Sequence, residues 1–217
     1  MKIIPLIAAA FISLHSARAD WIIIQKVTTD QAKDTLMTIK AKDGKSRMDM
    51  GEQMSLILDS TTGDSTMFMH PQKMMMRLSA DSMKGIMAMA AQQLGNEPAA
   101  KPTATGQKEK VGEYECEIYT WKGKLGVGKF WVAKDFPNAK ELNEIQDNMT
   151  KSIGNPMASL VPKNTDFPGI VVKSEMEVMG KKNISELVSA KQESVSNDVF
   201  AAPQGYQEMK MPGLPGK

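Results

Sequence analysis

The stretch MFMHPQKMMMR, residues 67–77, holds five methionines in eleven residues, together with one of the two histidines of the chain. Thioether sulfurs are soft ligands that suit Cu(I). Methionines two positions apart on a strand point to the same side, so neighbouring strands can gather their sulfurs on one face. The spacing therefore predicts a thioether site whose members would be Met67, Met69, His70, Met74 and Met76.

The same methionines also fit an apolar wall. Methionine is flexible and polarizable, so it lines surfaces that must adapt to irregular apolar partners. A core that only has to be rigid would favour leucine, isoleucine and valine. The methionines are also too widely spread for one ion, so we favour a deformable apolar face, which is either a filled core or a ligand cavity. The ligand-face candidates are Met48, Met50, Leu56, Leu58, Met67, Met69, Met74, Met76, Met83 and Met87.

Groups for catalysis are scarce in this sequence. A Ser-His-Asp or Cys-His arrangement must use His70, which lies beside Pro71 in a predicted turn and which we interpret as a solvated turn histidine. Cys116 is the only cysteine, and we interpret it as a small buried hydrophobe. Glu113, Glu115 and Glu117 alternate along a strand and are expected to face water. We predict no catalytic residue and no cofactor, and outside the thioether hypothesis no metal.

The first nineteen residues have the form of a secretory signal peptide. Lys2 precedes an apolar run from Ile3 to Leu14, and Ala17-Arg18-Ala19 is a small-x-small cleavage site. We expect cleavage after Ala19 and a single exported domain, periplasmic or secreted, over 20–217. No later apolar run approaches the roughly 20 residues that span a bilayer. Removal of the leader leaves 25 basic and 25 acidic residues, so charge gives no reason to expect nucleic acid as a partner.

Turn residues divide the first half of this domain into β-hairpins. Asp43-Gly44 is a strong two-residue turn, and the other predicted turns lie at Gly51–Gln53, Thr62-Gly63 and Pro71-Gln72. The cross-strand partners that these turns imply are Ile39 with Met48, Met37 with Met50, Met50 with Met54, Leu58 with Met67, Leu56 with Met69, Met69 with Met74, and Met67 with Met76.

These registers divide the side chains between two faces. One face collects the methionines with Ile39, Leu56 and Leu58. The opposite face is predicted to be wet and collects Thr38, Lys40, Arg47, Asp49, Ser55, Asp59, Thr66 and Arg77, with Ile57, Phe68 and Met75 as apolar exceptions. Such a partition is typical of an antiparallel sheet with one buried face.

Two helices are predicted to cover the apolar face. The first runs over about 81–94 behind Ser79 or Asp81 as a cap, and Met83, Ile86 and Met87 belong to its stripe. The second runs from about Asn138 to Ile153, and its apolar stripe consists of Leu142, Ile145, Met149 and Ile153. We expect a flexible loop at 95–106, two closing strands at about 169–179 and 184–193, and a disordered tail from about 208. The fold class is α+β: a curved antiparallel sheet, an incomplete barrel, with two helices against its concave face.

Five segments, in this order along the chain, resemble a secreted bacterial family, domain of unknown function 4412. They are GKSRMDM at 44–50, MHPQK at 69–73, VGEYECEIYTW at 111–121, FWVAKD at 130–135 and VFAAPQGYQEM at 199–209. The resemblance implies a shape similar to the periplasmic lipoprotein carriers, in which helices close an incomplete β-barrel over an apolar cavity. It brings no catalytic residues, and this chain carries more methionine than the family leads us to expect.

The leading functional hypothesis is a non-enzymatic periplasmic binding or carrier module for an apolar or lipid-like small molecule. The alternative is a periplasmic Cu(I)-binding protein that uses methionine thioethers. A third class is a structural domain that binds another envelope protein through a sheet edge or through the 95–106 loop.

Overall fold

The computed structural model describes residues 19–94, 99–152 and 156–209, and twelve strands of these ranges form one sheet. The strands are β1 (Trp21–Thr29), β2 (Thr35–Lys42), β3 (Lys45–Met50), β4 (Met54–Asp59), β5 (Asp64–Met69), β6 (Met74–Leu78), β7 (Thr103–Val111), β8 (Tyr114–Gly123), β9 (Gly126–Ala133), β10 (Ile170–Val178), β11 (Lys181–Gln192) and β12 (Gln207–Glu208). The helices are α1 (Ala80–Leu94) and α2 (Ala139–Ser152), with short 3-10 segments η1 (Pro156–Leu160), η2 (Asn164–Asp166) and η3 (Asn197–Phe200).

The sheet is open and almost wholly antiparallel. Its order is β12-β6-β5-β4-β3-β2-β1-β11-β10-β9-β8-β7, and only the short β12 pairs in parallel, with β6. Strands from the two ends of the chain lie side by side in the middle of the sheet, where β1 pairs with β2 on one side and with β11 on the other. The edges, β7 and β12, do not pair with each other, so the barrel stays incomplete. The predicted α+β class is confirmed.

Most of the predicted hairpin registers are confirmed. Asp43 and Gly44 both have positive φ, as a two-residue turn of the primed type requires. The turns at 51–53 and 70–73 also lie where the sequence places them. The observed partners are Ile39 with Met48, Met37 with Met50, Met50 with Met54, Met67 with Met76, and Met69 with Met74.

The register between β4 and β5 is the exception. Leu56 pairs with Met67 and Leu58 with Ser65, two residues away from the prediction. The turn spans four residues instead of two, because Gly63 N–H donates to the carbonyl of Asp59 and Thr61 N–H donates to the Asp59 carboxylate. A slip of two residues keeps every side chain on its predicted face.

The face opposite the methionines is not uniformly wet, which corrects the prediction. Ser55 is 1% exposed and Phe68 is 0% exposed on that face. The C-terminal segment, residues 195–209, crosses it: the Lys42 ammonium donates to the carbonyl of Val195, and Arg47 Nη1 donates to the carbonyl of Val199. Because this cover comes from the far end of the chain, the local pattern carries no sign of it.

The two helices differ in how they pack. α2 buries Leu142 and Met149 in the main core, as its predicted stripe requires. α1 begins behind Ser79, whose hydroxyl accepts from Ser82 N–H, as a capping residue does. None of the α1 side chains that the structure describes is buried. Among the described side chains, α2 supplies the buried contacts to the methionine face, and cover by the 81–94 helix stays a prediction.

Two boundaries predicted from the sequence shift in the structure. The last four residues of the predicted 95–106 loop belong to β7, an edge strand whose exposed side chains give no apolar pattern. Glu208 belongs to β12 and not to a disordered tail. The predicted signal peptide up to residue 18, the loop residues 95–98, Ile153 and the predicted tail from 210 lie outside the described residues. No helix within the described ranges is long and apolar enough to cross a bilayer.

Candidate functional site

A cavity of about 200 Å³ lies between the sheet and α2. Its apolar side consists of Met37, Ile39, Met48, Met50, Met149 and Val171. Its polar side consists of Gln25, Gln146, Thr150, Asn164, Ser174 and Ser185. None of these lining residues is an aspartate, glutamate, lysine, arginine or histidine, so the cavity is amphipathic but carries no ionisable group.

The methionine side of the cavity is built by the β2–β3 hairpin. The register that pairs Met37 with Met50 and Ile39 with Met48 puts these four side chains on one face. Ile39 and Met48 are buried, whereas Met37 and Met50 are only partly buried and pack at the border of the core. The flexible thioether side chains of Met37 and Met50 therefore lie on the surface of the cavity, in front of the more deeply buried residues.

Helix α2 forms the opposite wall and is fixed by polar contacts as well as by its apolar stripe. The buried Asn143 donates from Nδ2 to the carbonyl of Gly169 at 3.0 Å. Asp147 is 6% exposed, and its two oxygens accept four hydrogen bonds from Asn164 and Thr165. These bonds hold η2 against α2 and so position Asn164 at the rim of the cavity.

The predicted ligand-face residues separate into groups. Met48 and Met50 line the cavity, and Leu56 is fully buried in the core beside it. Leu58 and Met83 line a different cleft of about 300 Å³ between α1 and α2. Met67 packs against the core, and Met69, Met74 and Met76 are half-buried towards one edge of the sheet. The side chain of Met87 lies outside the described residues.

The proposed thioether cluster is only partly assembled. Met67 pairs with Met76 and Met69 with Met74, so the four side chains share one face in two adjacent cross-strand pairs. His70 does not join them, because its ring contacts Ser55 and Tyr206 on the other side of the sheet. Within the described residues, no three histidine, cysteine, aspartate or glutamate side chains come together as a metal site requires.

His70 is not a solvated turn residue, which corrects the sequence analysis. Its Nε2 lies 2.7 Å from Ser55 Oγ, and its Nδ1 lies 2.5 Å from the Tyr206 hydroxyl. Ser55 Oγ also donates to Asp49 at 2.6 Å and accepts from Arg47 Nη2 at 3.0 Å. Because the single Ser55 proton goes to Asp49, His70 must donate from Nε2, which leaves Nδ1 to accept from Tyr206 when the ring is neutral.

Ser55 and His70 have the residue types of a catalytic nucleophile and its base, but a substrate cannot reach them. Ser55 is 1% exposed, and its oxygen already makes three hydrogen bonds, which is all that a hydroxyl can make. A substrate carbonyl has no approach to it. The network serves to attach the C-terminal segment to the sheet.

Cys116 is likewise sealed in the protein. It is 1% exposed and belongs to the main core. Burial raises the pKa of its thiol, as do the nearby carboxylates of Glu115 and Glu109, while a backbone hydrogen bond at Val111 acts in the opposite direction. A raised pKa lowers the thiolate fraction at neutral pH, and the thiolate is the reactive form. Its expected role as a small hydrophobe fits this environment.

Glu117 is the one member of the glutamate series with a strong partner. The ammonium group of Lys134 donates to its carboxylate and lowers the pKa of Glu117. The hydroxyl of Tyr119 adds a second hydrogen bond to the same carboxylate. Such a carboxylate remains ionised and paired, which is unsuited to the role of a general acid.

Comparison with known proteins identifies the family of the chain. The family described as "Domain of unknown function (DUF4412)" matches residues 22–206. The chain belongs to this family. No curated protein matches the chain in sequence. The match includes the β2–β3 hairpin, α2 and η2, so the whole cavity lies inside the DUF4412 domain.

Solved structures with some likeness to this DUF4412 chain fall into two groups. PNGF-II is 9% identical with a TM-score of 0.43, and the match covers 88% of this chain and 32% of that one. The chain thus spans about a third of the length of PNGF-II. A putative outer membrane lipoprotein-sorting protein domain from Vibrio parahaemolyticus is 12% identical with a TM-score of 0.35, covering 84% and 89% of the two chains.

A LolA superfamily protein from Nitrosomonas europaea is 8% identical with a TM-score of 0.23, and the match covers 85% of this chain and 90% of that one. The lipoprotein-sorting and LolA superfamily domains are the group of proteins whose shape the sequence resemblance implied. Likenesses at these levels bring no activity, ligand or partner to this chain.

About half of the cavity lining could not be predicted from the sequence. Met37 and Ile39 lie on the predicted face, and Met149 lies on the predicted stripe of the second helix. Nothing in the sequence pointed to Gln25, Asn164, Ser174 or Ser185, because these come from four segments that meet only in the folded chain. The one local signal was Gln25 in the apolar strand WIIIQKV. Glutamine is mostly exposed in proteins, so its place in an apolar strand indicates a polar site.

Proposed function

We propose that this DUF4412 domain is a non-enzymatic periplasmic binding or carrier module for a small lipid-like molecule. The observation that carries the proposal is the cavity between the methionine wall of the β2–β3 hairpin and α2. Ligand sites are typically concave, mostly apolar and supplied with a few polar groups that orient the ligand. The signal peptide predicted from the sequence supports the periplasm as the compartment.

The size of the cavity sets the scale of the bound group. Drug-sized ligands occupy pockets of about 300–1,000 Å³, whereas an engineered cavity of about 150 Å³ holds benzene. At about 200 Å³ the cavity suits a small molecule or one part of a lipid. Flexible methionines at its border allow the wall to adapt to chains of different shape.

A blocking substitution tests the proposal. We expect the mature protein to bind the neutral fluorescent probe N-phenyl-1-naphthylamine, and Met50→Trp to weaken this binding about tenfold or more by filling the cavity. Met89→Trp, on an exposed position of α1, is the matched control and should bind as the wild type does. Equal binding by both variants, or no binding by the wild type, would contradict the proposal.

The copper alternative keeps one specific observation in its favour, the two cross-strand pairs Met67–Met76 and Met69–Met74. If these sulfurs bind Cu(I), replacement of all four by leucine should abolish competition with bicinchoninate for the metal, because leucine has no lone pair to donate. Leucine nearly preserves side-chain volume, so an apolar wall should keep its probe binding in the same variant. A domain that binds another envelope protein remains a prediction from the sequence.

A further inference from the structure

Two glutamines of the cavity have side-chain amides without a protein partner. Gln25 is 8% exposed and Gln146 is 9% exposed, and both line the cavity. Among the described residues, no hydrogen bond or ion pair joins either side-chain amide to another protein group. Neither amide is among the side-chain atoms sealed from solvent without a partner, so both open onto the cavity. The other cavity amide, Asn164, differs because its Nδ2 donates to Asp147 at 2.9 Å.

Amides that open onto the cavity without a protein partner are free to bind a ligand. Each carboxamide offers two N–H donors and one carbonyl acceptor, and the great majority of buried polar groups in folded proteins find a partner. Gln25 comes from β1 and Gln146 from α2, so two separate elements present free amides to one space. The partner that both amides lack is best supplied by whatever occupies that space.

The rest of the lining decides the charge of this occupant. None of the residues around the cavity is ionisable, so an anionic or cationic headgroup would be buried without a counter-charge, which is strongly unfavourable. An alcohol or an amide with an N–H group, by contrast, can both accept and donate, and an ester can accept, without burying a charge. Met48 and Met149, which are almost fully buried, offer apolar contact to the remainder of such a molecule.

We infer that the cavity selects a neutral amphipathic molecule, whose uncharged oxygen or nitrogen function binds Gln25 and Gln146 while its hydrocarbon part lies against the methionine wall. This inference rests on the proposed binding function and adds the ligand class. It excludes free fatty acids and charged headgroups as occupants of this cavity.

Displacement of N-phenyl-1-naphthylamine by matched eight-carbon compounds tests the inference. At pH 8 the competitors are 1-octanol, octane and octanoate, which differ only in the terminal group. In the wild type, 1-octanol should compete at a concentration at least about tenfold below that of octanoate. In the double variant Gln25→Leu, Gln146→Leu, competition by 1-octanol should weaken about tenfold while competition by octane does not weaken, as expected for two lost hydrogen bonds.

A control and a second readout keep the result interpretable. Gln31→Leu, at an exposed position, should change none of these values. The double variant should not lower the thermal midpoint, because leucine replaces amides that make no protein hydrogen bond. A fall of several degrees, octanoate competing as well as octanol, or an unchanged octanol value in the double variant would each overturn the inference while probe binding, and with it the proposed function, persists. A wild type that does not bind the probe would instead remove both.

Discussion

Replacing Phe68 by alanine is expected to lower the free energy of unfolding by about 3–5 kcal/mol, the usual range for deleting a fully buried aromatic ring. Phe68 is 0% exposed although it points away from the main core. Tyr206 of the C-terminal segment covers it edge-on, with ring centroids 5.6 Å apart and planes at 87°. Urea denaturation with an unchanged slope would measure the loss.

The control for this prediction is Leu36→Ala, because Leu36 is a large apolar side chain that is 54% exposed on the same sheet. It should change the free energy of unfolding by less than about 0.5 kcal/mol. A double-mutant cycle with Tyr206→Ala should give a coupling of about 0.5–1.5 kcal/mol, as aromatic pairs do. Phe68→Ala within 1 kcal/mol of the wild type would mean that the C-terminal segment does not cover the ring in solution.

Phe68 also shows where local sequence patterns stop being informative. The registers of β2, β3, β5 and β6 could be predicted, because Asp43-Gly44 and the other turns fix the pairing and the alternation then fixes the faces. Phe68 stood out as an apolar exception on the predicted wet face. Its cover lies about 140 residues further along the chain, and no periodicity connects positions that far apart.

The cavity exceeds local prediction for the same reason. The methionine wall belongs to one hairpin, so its residues could be found by register alone. The two free amides belong to β1 and α2, and their lack of partners is a property of the packed structure and not of either segment. The slip between β4 and β5 has a more local cause: hydrogen bonds to Asp59 close a four-residue turn, and turn residue types alone did not distinguish it from a two-residue turn.

η2 completes the cavity beside helix α2, and Asp147 makes the hydrogen bonds that attach η2 to this helix. Oδ1 accepts from Asn164 N at 2.8 Å and from Asn164 Nδ2 at 2.9 Å. Oδ2 accepts from Thr165 N at 3.1 Å and from Thr165 Oγ1 at 2.7 Å. No cation among the described residues pairs with this buried carboxylate, which is tolerated because each oxygen receives two donors.

Asp147→Ala is therefore expected to lower the free energy of unfolding by about 3–5 kcal/mol, since hydrogen bonds to a charged group contribute roughly 1.5–3 kcal/mol each and neighbouring losses do not simply add. Asp147→Asn should fall between the alanine variant and the wild type, because its amide keeps one acceptor but turns an NH₂ group towards two donors. Urea denaturation of the three proteins gives this order directly.

Asp147→Ala should also change the cavity, because Asn164 and Gln146 line it on either side of the contact between Asp147 and η2. Loss of the Asp147 bonds frees η2 from α2, so binding of N-phenyl-1-naphthylamine should weaken under conditions in which the variant is still folded. Asp166→Ala is the matched control: Asp166 lies in the same 3-10 segment, is exposed, and accepts one hydrogen bond, from Lys163 N–H at 2.8 Å. Asp166→Ala should lower the free energy of unfolding by less than about 1 kcal/mol and leave probe binding unchanged. If Asp147→Ala and Asp166→Ala behave alike in both measurements, η2 is held by its apolar contacts, and the hydrogen bonds to Asp147 have no part in shaping the cavity.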